Sequence, residues 1–546
     1  MKIVECVPNI SEGRNPEIYN AVAEAAAAVA GVELLDVDPG QETNRTVITF
    51  VGEPDAVLEG AFELVKKSFE LIDMTTHYGA HGRQGATDVC PFVPVSGVSM
   101  DDCVELSKRL GKKVGEELGL PVFLYEYAAT RPERRSLADI RQGEYEALSE
   151  KLKTAEFAPD FGPAEFIPSF GVMVTGARKF LVAYNVDLNV TDKRWANRVA
   201  FDVREKGRMV KGPDGKKVKQ SGMLKAVRGV GWFIPEYGCA QVSMNLIDLD
   251  VTPVHAAFDA CVESAQKRGI RVTGSELVGL IPRQSMLNAG SHYLTRMERS
   301  PGVPEEDLVH AAVRSLGLNE VSEFNPAEKI VEDILAPERP LAGMTLQAFA
   351  DETSRDSTAP GGGSVAALAG ALAAALAAMV ANLPHPKAAF AKVRGELEEV
   401  AVSGQKLKQQ LLDAIDEDTW SFQRLMEANK VSGEGKAAAI REATLGAALV
   451  PLEVTEACSE IVGLCVRARQ LGMSASASDA GVGAGIARAA ALGAAMNVRI
   501  NLQDMADDEE AAAMLERADI ALAATANAAA ELEAEVWGLL GGGELP

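Results

Sequence analysis

The densest group of residues that could do chemistry lies in the segment from Thr75 to Asp88. It holds two of the six histidines of the chain, His77 and His81, at the i, i+4 spacing of a zinc site on a helix. Three glycines within seven residues disfavour a helix, and no third ligand cluster stands nearby. The residue types favour a loop whose backbone approaches a ligand closely and whose imidazole titrates near neutrality. A surface loop with incidental histidines is the alternative.

Polar residues also lie at the ends of the β-branched runs of the front half. In layered α/β folds, binding and catalytic residues are commonly found at the ends of strands. Asn9 follows the first run, and Asp38 and Arg45 lie on either side of a predicted turn. Arg45, Arg83 and Arg178 are candidates to hold carboxylates, because a guanidinium can donate two parallel hydrogen bonds. Turns, caps and surface salt bridges explain the same residues equally well.

An aromatic segment rich in glycine and proline runs from Asp160 to Gly171. Flat apolar walls between two subdomains would favour a flat heteroaromatic ligand. The alternative interpretation is an apolar linker between subdomains.

The rear half carries two further candidate features. Gly361, Gly362, Gly363 and Ser364 open a predicted helix, whose free N–H groups could bind an anion or the polar edge of a ligand; a flexible turn with Ser364 as N-cap is the alternative. Asp418 falls in helical register with Leu411, Ile415 and Phe422, so the pattern predicts a carboxylate on an apolar stripe with a raised pKa.

Three other acidic residues of the rear half are less informative. Asp416 and Glu417 lie off the stripe and are interpreted as solvated. Asp479 could line the same site, or it could be a helix N-cap.

The elements that must position these residues change in kind near residue 340. Before it, strand patterns alternate with amphipathic helices and predict two α+β subdomains of the split βαβ, ferredoxin-like kind, followed by an all-α helical bundle. The predicted domains are 1–178, 179–335, a linker at 336–343, and 344–546. The predicted elements of the first pass are strands at 2–6, 32–37, 46–51, 89–95 and 122–127 and helices at 16–30, 54–71 and 100–118. In the second pass they are strands at 179–186, 224–233 and 240–246 and helices at 193–205 and 251–268.

Composition narrows the class of protein. The 546 residues are 47% hydrophobic and 24% charged, which excludes a disordered chain, and the net charge of -24 disfavours binding to nucleic acid. Seven scattered cysteines, with no CxxC pair, predict reduced and mostly buried thiols. With no signal-peptide pattern, we expect a cytoplasmic protein. The Ala- and Gly-rich run from Ser364 to Leu383 suits close helix packing better than a membrane span.

Several motifs together resemble the formimidoyltransferase-cyclodeaminase family of bifunctional folate enzymes. They are CVPNISEGRN, LLDVD, NRTVITFVG, HYGAHGRQGATDVCPFVPV, DFGP, PSFG, TGARKFL and APGGGSVAA, in the same order along nearly the whole chain. The resemblance implies a catalytic histidine at His81 and a catalytic aspartate at Asp418. It also implies folate binding by Gly162, Pro163, Ala164, Glu165, Phe166, Ile167, Pro168, Ser169, Phe170 and Gly171 in the front half, and by Gly361, Gly362, Gly363 and Ser364 in the rear half. Gly82 is a departure, because animal members are expected to have proline there.

The resemblance implies two reactions that use tetrahydrofolate, which we expect to be polyglutamylated, as co-substrate and no metal. The front half would transfer a formimino group between N-formimino-L-glutamate and tetrahydrofolate. The rear half would cyclise 5-formiminotetrahydrofolate to 5,10-methenyltetrahydrofolate and release ammonia. The alternatives are a glutamate formyltransferase with a cyclohydrolase-like domain, and a non-catalytic folate-binding scaffold. The family also implies homo-oligomers, as dimers or a ring of dimers, without nucleic acid or membrane.

Overall fold

The computed structural model describes residues 2–41, 43–79, 82–212, 214–336, 338–357, 359–433, 435–505 and 507–543. The chain divides into two compact units: Met1–Met286 with Leu316–Ala336, and Leu287–Ser315 with Pro337–Pro546. Sheets occupy the N-terminal half and the C-terminal region is helical, so the predicted change from mixed α/β to all-α is confirmed.

The strands, in chain order, are β1 (Ile3–Cys6), β2 (Asn9–Ile10), β3 (Val32–Gly40), β4 (Arg45–Gly52), β5 (Thr87–Ser96), β6 (Val122–Glu126), β7 (Met173–Ala177), β8 (Val182–Leu188), β9 (Arg208–Lys211), β10 (Lys217–Gln220), β11 (Val227–Ile234), β12 (Cys239–Leu246) and β13 (Val272–Val278). The helices before residue 340 are α1 (Pro16–Ala27), α2 (Pro54–Leu71), α3 (Met100–Lys113), α4 (Leu137–Ile140), α5 (Leu148–Lys151), α6 (Lys193–Val203), α7 (Val254–Gln266), α8 (Arg283–Arg296), α9 (Glu305–Leu316), α10 (Pro326–Lys329) and α11 (Val331–Ile334). Those after it are α12 (Leu346–Thr353), α13 (Gly362–Asn382), α14 (Arg394–Ala428), α15 (Lys436–Leu471), α16 (Ala477–Leu502) and α17 (Glu509–Leu539).

The first sheet has seven strands. β3 pairs with β4; β4 pairs with β1 and β2, and both of these pair with β5, all antiparallel. β7 and then β6 extend the sheet in parallel. Alternate residues such as Val4 and Phe50 pack against α1, α2 and α3 in the main core, so the intervening residues of β1 and β4 lie on the opposite face.

The second sheet has four antiparallel strands in the order β11-β12-β8-β13. Helix α6 packs on β11 and β12. Gly231 permits this close approach, because a Cβ there would overlap the backbone of α6 at Asn197.

In the helical unit α13 packs against α14, α15 and α16. Its many alanines and glycines keep the neighbouring helices close: a Cβ on Gly370 would lie 3.0 Å from Leu411 Cδ1. By length and composition, the helical stretches Gly362–Asn382 and Ser474–Leu502 could each cross a membrane, yet 61% and 44% of their apolar windows are buried within the protein. A core helix of a helical bundle has the same composition.

Most element predictions are confirmed, including α2 with its predicted bounds of 54–71. The predicted helix 100–118 is interrupted, since α3 ends at Lys113 and a π-helical turn follows at Val114–Leu118. The sequence analysis predicted no strand at the positions of β7, β2 and β13, and it missed the hairpin β9–β10 as well. All seven cysteines are free and six are buried, as predicted.

Candidate active sites

A buried ionic cluster organises one end of the first sheet. Asp88, at the start of β5, is fully buried. Its carboxylate accepts a hydrogen bond from Arg45 Nη1 (2.6 Å) and forms a second ion pair with Arg141. The backbone N–H of Gln84 donates to its other oxygen (2.7 Å). Arg45 Nε donates to Asn9 Oδ1 (3.1 Å), so two of the substrate-binding candidates are in contact. The salt bridge of Arg45 is buried rather than at the surface.

The histidine-bearing loop packs against Thr43 and Asn44, the two residues that precede Arg45. His77 is buried, and its Nε2 lies 2.7 Å from the carbonyl oxygen of Asn44, while its buried Nδ1 has no hydrogen-bond partner among the residues that the structure describes. Burial lowers the pKa of His77 more than the Asn44 carbonyl raises it. Gly79 packs on the carbonyl oxygen of Thr43, which a Cβ would overlap. Ala80 and His81 lie outside the described residues.

The proposed folate segment is hydrogen-bonded directly to this loop. Ser169 O accepts from Met74 N (2.9 Å), Phe170 O accepts from Ala86 N (2.8 Å), and Val172 N donates to Gln84 O (3.1 Å). Gly171 has a φ of 81°, and a Cβ there would overlap the carbonyl oxygen of Gln84. The structure therefore places the segment beside the residues that flank His81.

Two expectations about the folate segment are wrong. It is not a linker between subdomains, because its backbone is bonded to loops of the first sheet. Phe170 is not a ligand wall, since it is fully buried and packs edge-on against Phe69 at 5.5 Å between ring centroids. Phe166 remains half-buried beside Tyr145 (5.4 Å), and residues 162–165 are exposed.

The other substrate-binding candidates of the front half lie in different surroundings. Arg83 pairs with the exposed carboxylate of Glu146 (2.8 Å) and donates to His77 O (3.2 Å), so the salt-bridge alternative describes it well. Asp38 is exposed on β3. Arg178 follows β7 and makes one side-chain hydrogen bond among the described residues, to the carbonyl oxygen of Lys179 (3.1 Å). It is not hydrogen-bonded to the Asp88 cluster.

In the helical unit Asp418 faces the start of α13. Its Oδ2 lies 3.3 Å from the hydroxyl of Ser364, and the backbone N–H of Ser364 also donates to the carboxylate. Gly363 makes the approach possible, because a Cβ there would overlap the carboxylate. Burial raises the pKa of Asp418 above its ordinary value, and the bonds from Ser364 offset part of that rise. The predicted direction of the pKa shift is therefore confirmed, and the aspartate lies against the glycine-rich start of α13.

The alternative interpretation of Ser364 as an N-cap is wrong. Gly361 is the N-cap of α13, and Ser364 lies three residues inside the helix with its hydroxyl 2.8 Å from the carbonyl oxygen of Ile415.

The prediction about Asp416 is also wrong. Asp416 is 2% exposed, and its two oxygens accept hydrogen bonds from the backbone N–H groups of Leu341 (2.9 Å) and Ala342 (3.0 Å). Glu417 pairs with Arg424 at the surface, as expected for a solvated residue. The apolar stripe is shorter than predicted, because Phe422 is exposed.

Asp479 does not join the Asp418 site. The N-cap of α16 is Ser476, and Asp479 lies in the first turn. The residue of α16 beside Gly362 is Asn497, whose Nδ2 would lie 3.5 Å from a Cβ on that glycine. Eighteen residues of helix separate Asn497 from Asp479, about 27 Å. Asn497 was missed by the sequence reasoning; an amide between Met496 and Val498, in a helix rich in alanine and glycine, was the available signal.

The described residues contain no group of three or more His, Cys, Asp and Glu side chains that could hold a metal ion.

Comparison with known proteins gives three consecutive family matches. Residues 3–178 match the "Formiminotransferase domain, N-terminal subdomain", 183–336 the "Formiminotransferase domain", and 345–520 "Formiminotransferase-cyclodeaminase".

Individual relatives cover the whole chain or one of its halves. The formimidoyltransferase-cyclodeaminase of Mus musculus is 42% identical over 516 residues, 93% of this chain and 94% of its own. The glutamate formimidoyltransferase of Streptococcus pyogenes serotype M1 is 40% identical over 54% of this chain and 93% of its own. A crystal structure of formiminotetrahydrofolate cyclodeaminase from Thermotoga maritima, 28% identical, covers 36% of this chain and 98% of its own with a TM-score of 0.34.

Proposed function

Because the chain belongs to the formimidoyltransferase-cyclodeaminase family, we propose that its two halves catalyse two consecutive folate reactions of histidine degradation. The front half is a glutamate formimidoyltransferase, which moves the formimino group between N-formimino-L-glutamate and tetrahydrofolate. The rear half is a formimidoyltetrahydrofolate cyclodeaminase, which forms 5,10-methenyltetrahydrofolate and releases ammonia. The names of the relatives favour these activities over formyl transfer with a cyclohydrolase-like domain and over a non-catalytic scaffold.

For the transferase, the observation that supports the proposed site is the set of hydrogen bonds between residues 74–86 and 169–172. A folate bound along 162–171 would lie next to the loop that carries His81. An imidazole there can take the proton from the attacking amine and return one to the leaving nitrogen. Asn9 and Arg45, on the neighbouring Asp88 cluster, would line the substrate side, with His77 shaping the loop.

His81→Ala tests this assignment in the full chain. We expect formimino transfer to fall about 100-fold or more, the usual scale for a positioned acid–base group, while cyclodeaminase turnover on supplied 5-formiminotetrahydrofolate persists. Wild-type transfer in this variant would remove His81 from the mechanism and direct attention to His77.

For the cyclodeaminase, the supporting observation is the half-buried carboxylate of Asp418 at the glycine-rich start of α13. Ring closure requires N10 of the folate to attack the formimino carbon, and ammonia must leave the tetrahedral intermediate. A carboxyl group with a raised pKa can accept the proton from N10 and supply one to the departing nitrogen. Gly361, Gly362, Gly363 and Ser364 would hold the folate against it.

Asp418→Asn keeps the shape but cannot carry the proton. We expect cyclisation to collapse while transfer continues, so that 5-formiminotetrahydrofolate accumulates. Glu417→Gln, one residue earlier and paired at the surface with Arg424, is the matched control and should leave both activities unchanged. Full cyclodeaminase activity in a folded Asp418→Asn variant would show that this carboxylate is structural.

The finer division of the fold is also a proposal. In each sheet two βαβ units interlock, with strand orders β3-β4-β1-β5 and β11-β12-β8-β13, and this supports two ferredoxin-like subdomains at 1–178 and 179–335. A linker at 336–343 would join them to the cyclodeaminase at 344–546.

We further propose that the folate substrate is polyglutamylated. The motivating residues are basic and line or follow the exposed hairpin β9–β10: Lys211, Lys216, Lys217, Lys219, Lys225 and Arg228. A cavity of about 490 Å³ beside the hairpin is lined by Lys267, and by Arg208 and Arg268, which both pair with Asp202 in the same lining. Affinity that rises with tail length and weakens with salt would support this, and binding that ignores both would contradict it.

For the assembly we propose cytoplasmic homo-oligomers, either dimers or a ring of dimers, that bind neither nucleic acid nor membranes. Val365, Leu372 and Met379 are exposed at seven-residue spacing on α13, and Val482 and Met496 are exposed on α16. Apolar surface of this kind is typical of subunit interfaces. Sedimentation velocity measures the oligomer, and a monomer at micromolar concentration would contradict the proposal.

A further inference from the structure

The Asp88 cluster holds more positive than negative charge. The fully buried carboxylate of Asp88 is the shared partner of Arg45 and Arg141. Among the residues that the structure describes, no other carboxylate lies within 4 Å of a nitrogen of either guanidinium. Guanidinium groups stay protonated in proteins, so one carboxylate neutralises two cations only in part. One positive charge remains in the cluster.

A surplus charge in a largely buried place is unfavourable until it has a partner. Burial and the charge of Arg141 both lower the pKa of Arg45, and Asp88 raises it. Lys151 adds a further cation. Its Nζ donates to the carbonyl oxygens of Ile140 (2.9 Å) and residue 142 (2.5 Å), which flank Arg141 in the chain. The cluster is therefore suited to bind an anion.

Arg141 is the cation of this cluster that an anion can reach. Its side chain is 18% exposed, against 9% for Arg45 and none for Asp88. Nη2 of Arg141 forms the ion pair with Asp88, while Nη1 makes no hydrogen bond to a described residue. Nε is buried and has no partner in the same part of the chain. Arg141 thus keeps N–H donors that the protein does not use.

Gln84 connects Arg141 to the transferase site. It belongs to the histidine-bearing loop, and its backbone N–H donates to Asp88 (2.7 Å). Its Nε2 donates to the carbonyl oxygen of Ile140 (2.9 Å), the residue before Arg141. Its own carbonyl oxygen accepts from the N–H of Val172 (3.1 Å), directly after the folate segment. An anion bound by Arg141 would therefore lie beside both the loop and the segment.

The chemistry of the two substrates indicates which anion this is. Both carry glutamate carboxylates. In tetrahydrofolate an aminobenzoyl group separates the glutamate from the reacting N5. In the amino acid, the α-carboxylate is on the same carbon as the reacting nitrogen. A carboxylate held beside the proposed acid–base loop is therefore that of the amino acid.

We propose that Arg141 binds a carboxylate of the amino-acid substrate of the transferase, an inference that rests on the proposed function. The bound carboxylate neutralises the charge that Asp88 leaves over. It also accepts hydrogen bonds from the unused N–H groups of Arg141. Arg141 is then a residue that selects an acidic amino acid.

Isothermal titration of the full chain with L-glutamate tests the proposal. Arg141→Gln should weaken binding about 10- to 100-fold, the scale of one hydrogen bond between charged groups. Arg141→Lys should lose less, because lysine keeps the charge but not the planar fork. Arg135→Gln, which changes an exposed arginine six residues earlier, is the matched control and should bind like the wild type.

Urea unfolding followed by circular dichroism separates binding from a structural role. Asp88 keeps Arg45 as its partner in Arg141→Gln, and the variant loses only the surplus charge. Its urea midpoint should therefore not fall below that of the wild type.

Steady-state kinetics gives the second readout. Arg141→Gln should raise the KM for N-formimino-L-glutamate about 10- to 100-fold. The kcat and the KM for tetrahydrofolate should stay within about threefold, because a contact made equally in the ground and transition states changes only the KM of its own substrate.

Unchanged L-glutamate affinity and unchanged KM values in a folded Arg141→Gln variant would overturn the inference. A rise confined to the KM for tetrahydrofolate would also overturn it, since Arg141 would then bind the glutamate tail of the folate. Failure of the proposed function gives a different result. The wild type would then bind L-glutamate and Arg141→Gln would weaken that binding, but neither protein would transfer a formimino group to tetrahydrofolate.

Discussion

Adding one methyl group at Gly363 should disable the cyclodeaminase without removing any reactive atom. A Cβ at this position would lie within 3 Å of all three atoms of the Asp418 carboxylate group. The carboxylate cannot simply swing aside, because its backbone is fixed in α14 and Ser364 holds one of its oxygens. Gly363→Ala therefore displaces the proposed proton carrier from the start of α13.

The magnitudes follow from two opposing effects on stability and one on rate. Overpacking of a filled site lowers the free energy of unfolding by about 1–3 kcal/mol, and replacing glycine by alanine within a helix raises it by about 1 kcal/mol. The free energy of unfolding should therefore fall by about 1 kcal/mol. A reacting group misplaced by about 1 Å can cost about 100-fold in rate, so cyclisation should fall by that factor or more.

Gly446→Ala is the matched control, since it lies inside α15 and a Cβ there would meet nothing within 4 Å. It should gain up to about 1 kcal/mol and keep full activity. The assay supplies 5-formiminotetrahydrofolate and follows methenyl absorbance and released ammonia, with urea unfolding by circular dichroism alongside. Wild-type cyclisation by a folded Gly363→Ala variant would refute the placement of Asp418 in the site.

Three further predictions concern the front half. Asp88→Asn removes the carboxylate charge that the guanidiniums of Arg45 and Arg141 share, and it should destabilise this half by about 3–5 kcal/mol. The measurement is the urea midpoint for loss of transferase activity, which should fall. An unchanged midpoint would contradict a stabilising role of the Asp88 cluster. Gly79→Ala should lower transfer about 10- to 100-fold by shifting the loop off Thr43, with cyclodeaminase turnover as the control. The free energy of unfolding of the wild type should fall by up to about 3 kcal/mol as pH rises from about 4.5 to about 7, because Glu5 keeps its proton there in the folded state and loses it in the unfolded state. Glu5→Gln should abolish this component of the pH dependence. Identical pH profiles of the two proteins would contradict the prediction.

The sequence predicted what depends on local pattern. Strand alternation and helical periodicity located most elements, and the register of Asp418 on its helix predicted the direction of its pKa. Periodicity failed where the partner is distant in the chain. Asp416 seemed solvated because the backbone N–H groups that bury it belong to residues 341 and 342, on a different segment.

The site was predictable as a set of residue types but not as an arrangement. The proximity of the 74–86 loop to the folate segment depends on pairing between strands far apart in sequence, which no motif encodes. The same difficulty arises for Asp479 and Asn497, which both lie on α16. Their positions in the sequence do not show which end of that helix packs beside Gly362, and in the structure it is the end with Asn497.

The hydrogen bonds from residues 341 and 342 to Asp416 have a practical consequence for dividing this enzyme. The family match for the rear half begins at residue 345, so a cyclodeaminase expressed from that point would lack both donors. Asp416 would then be left as an exposed acid on the helical turn that carries Asp418, and Leu341 would leave a gap in the apolar core. A separated rear half should therefore retain residues 341 and 342, which bond to Asp416 of α14, together with Leu287–Ser315 of the same compact unit.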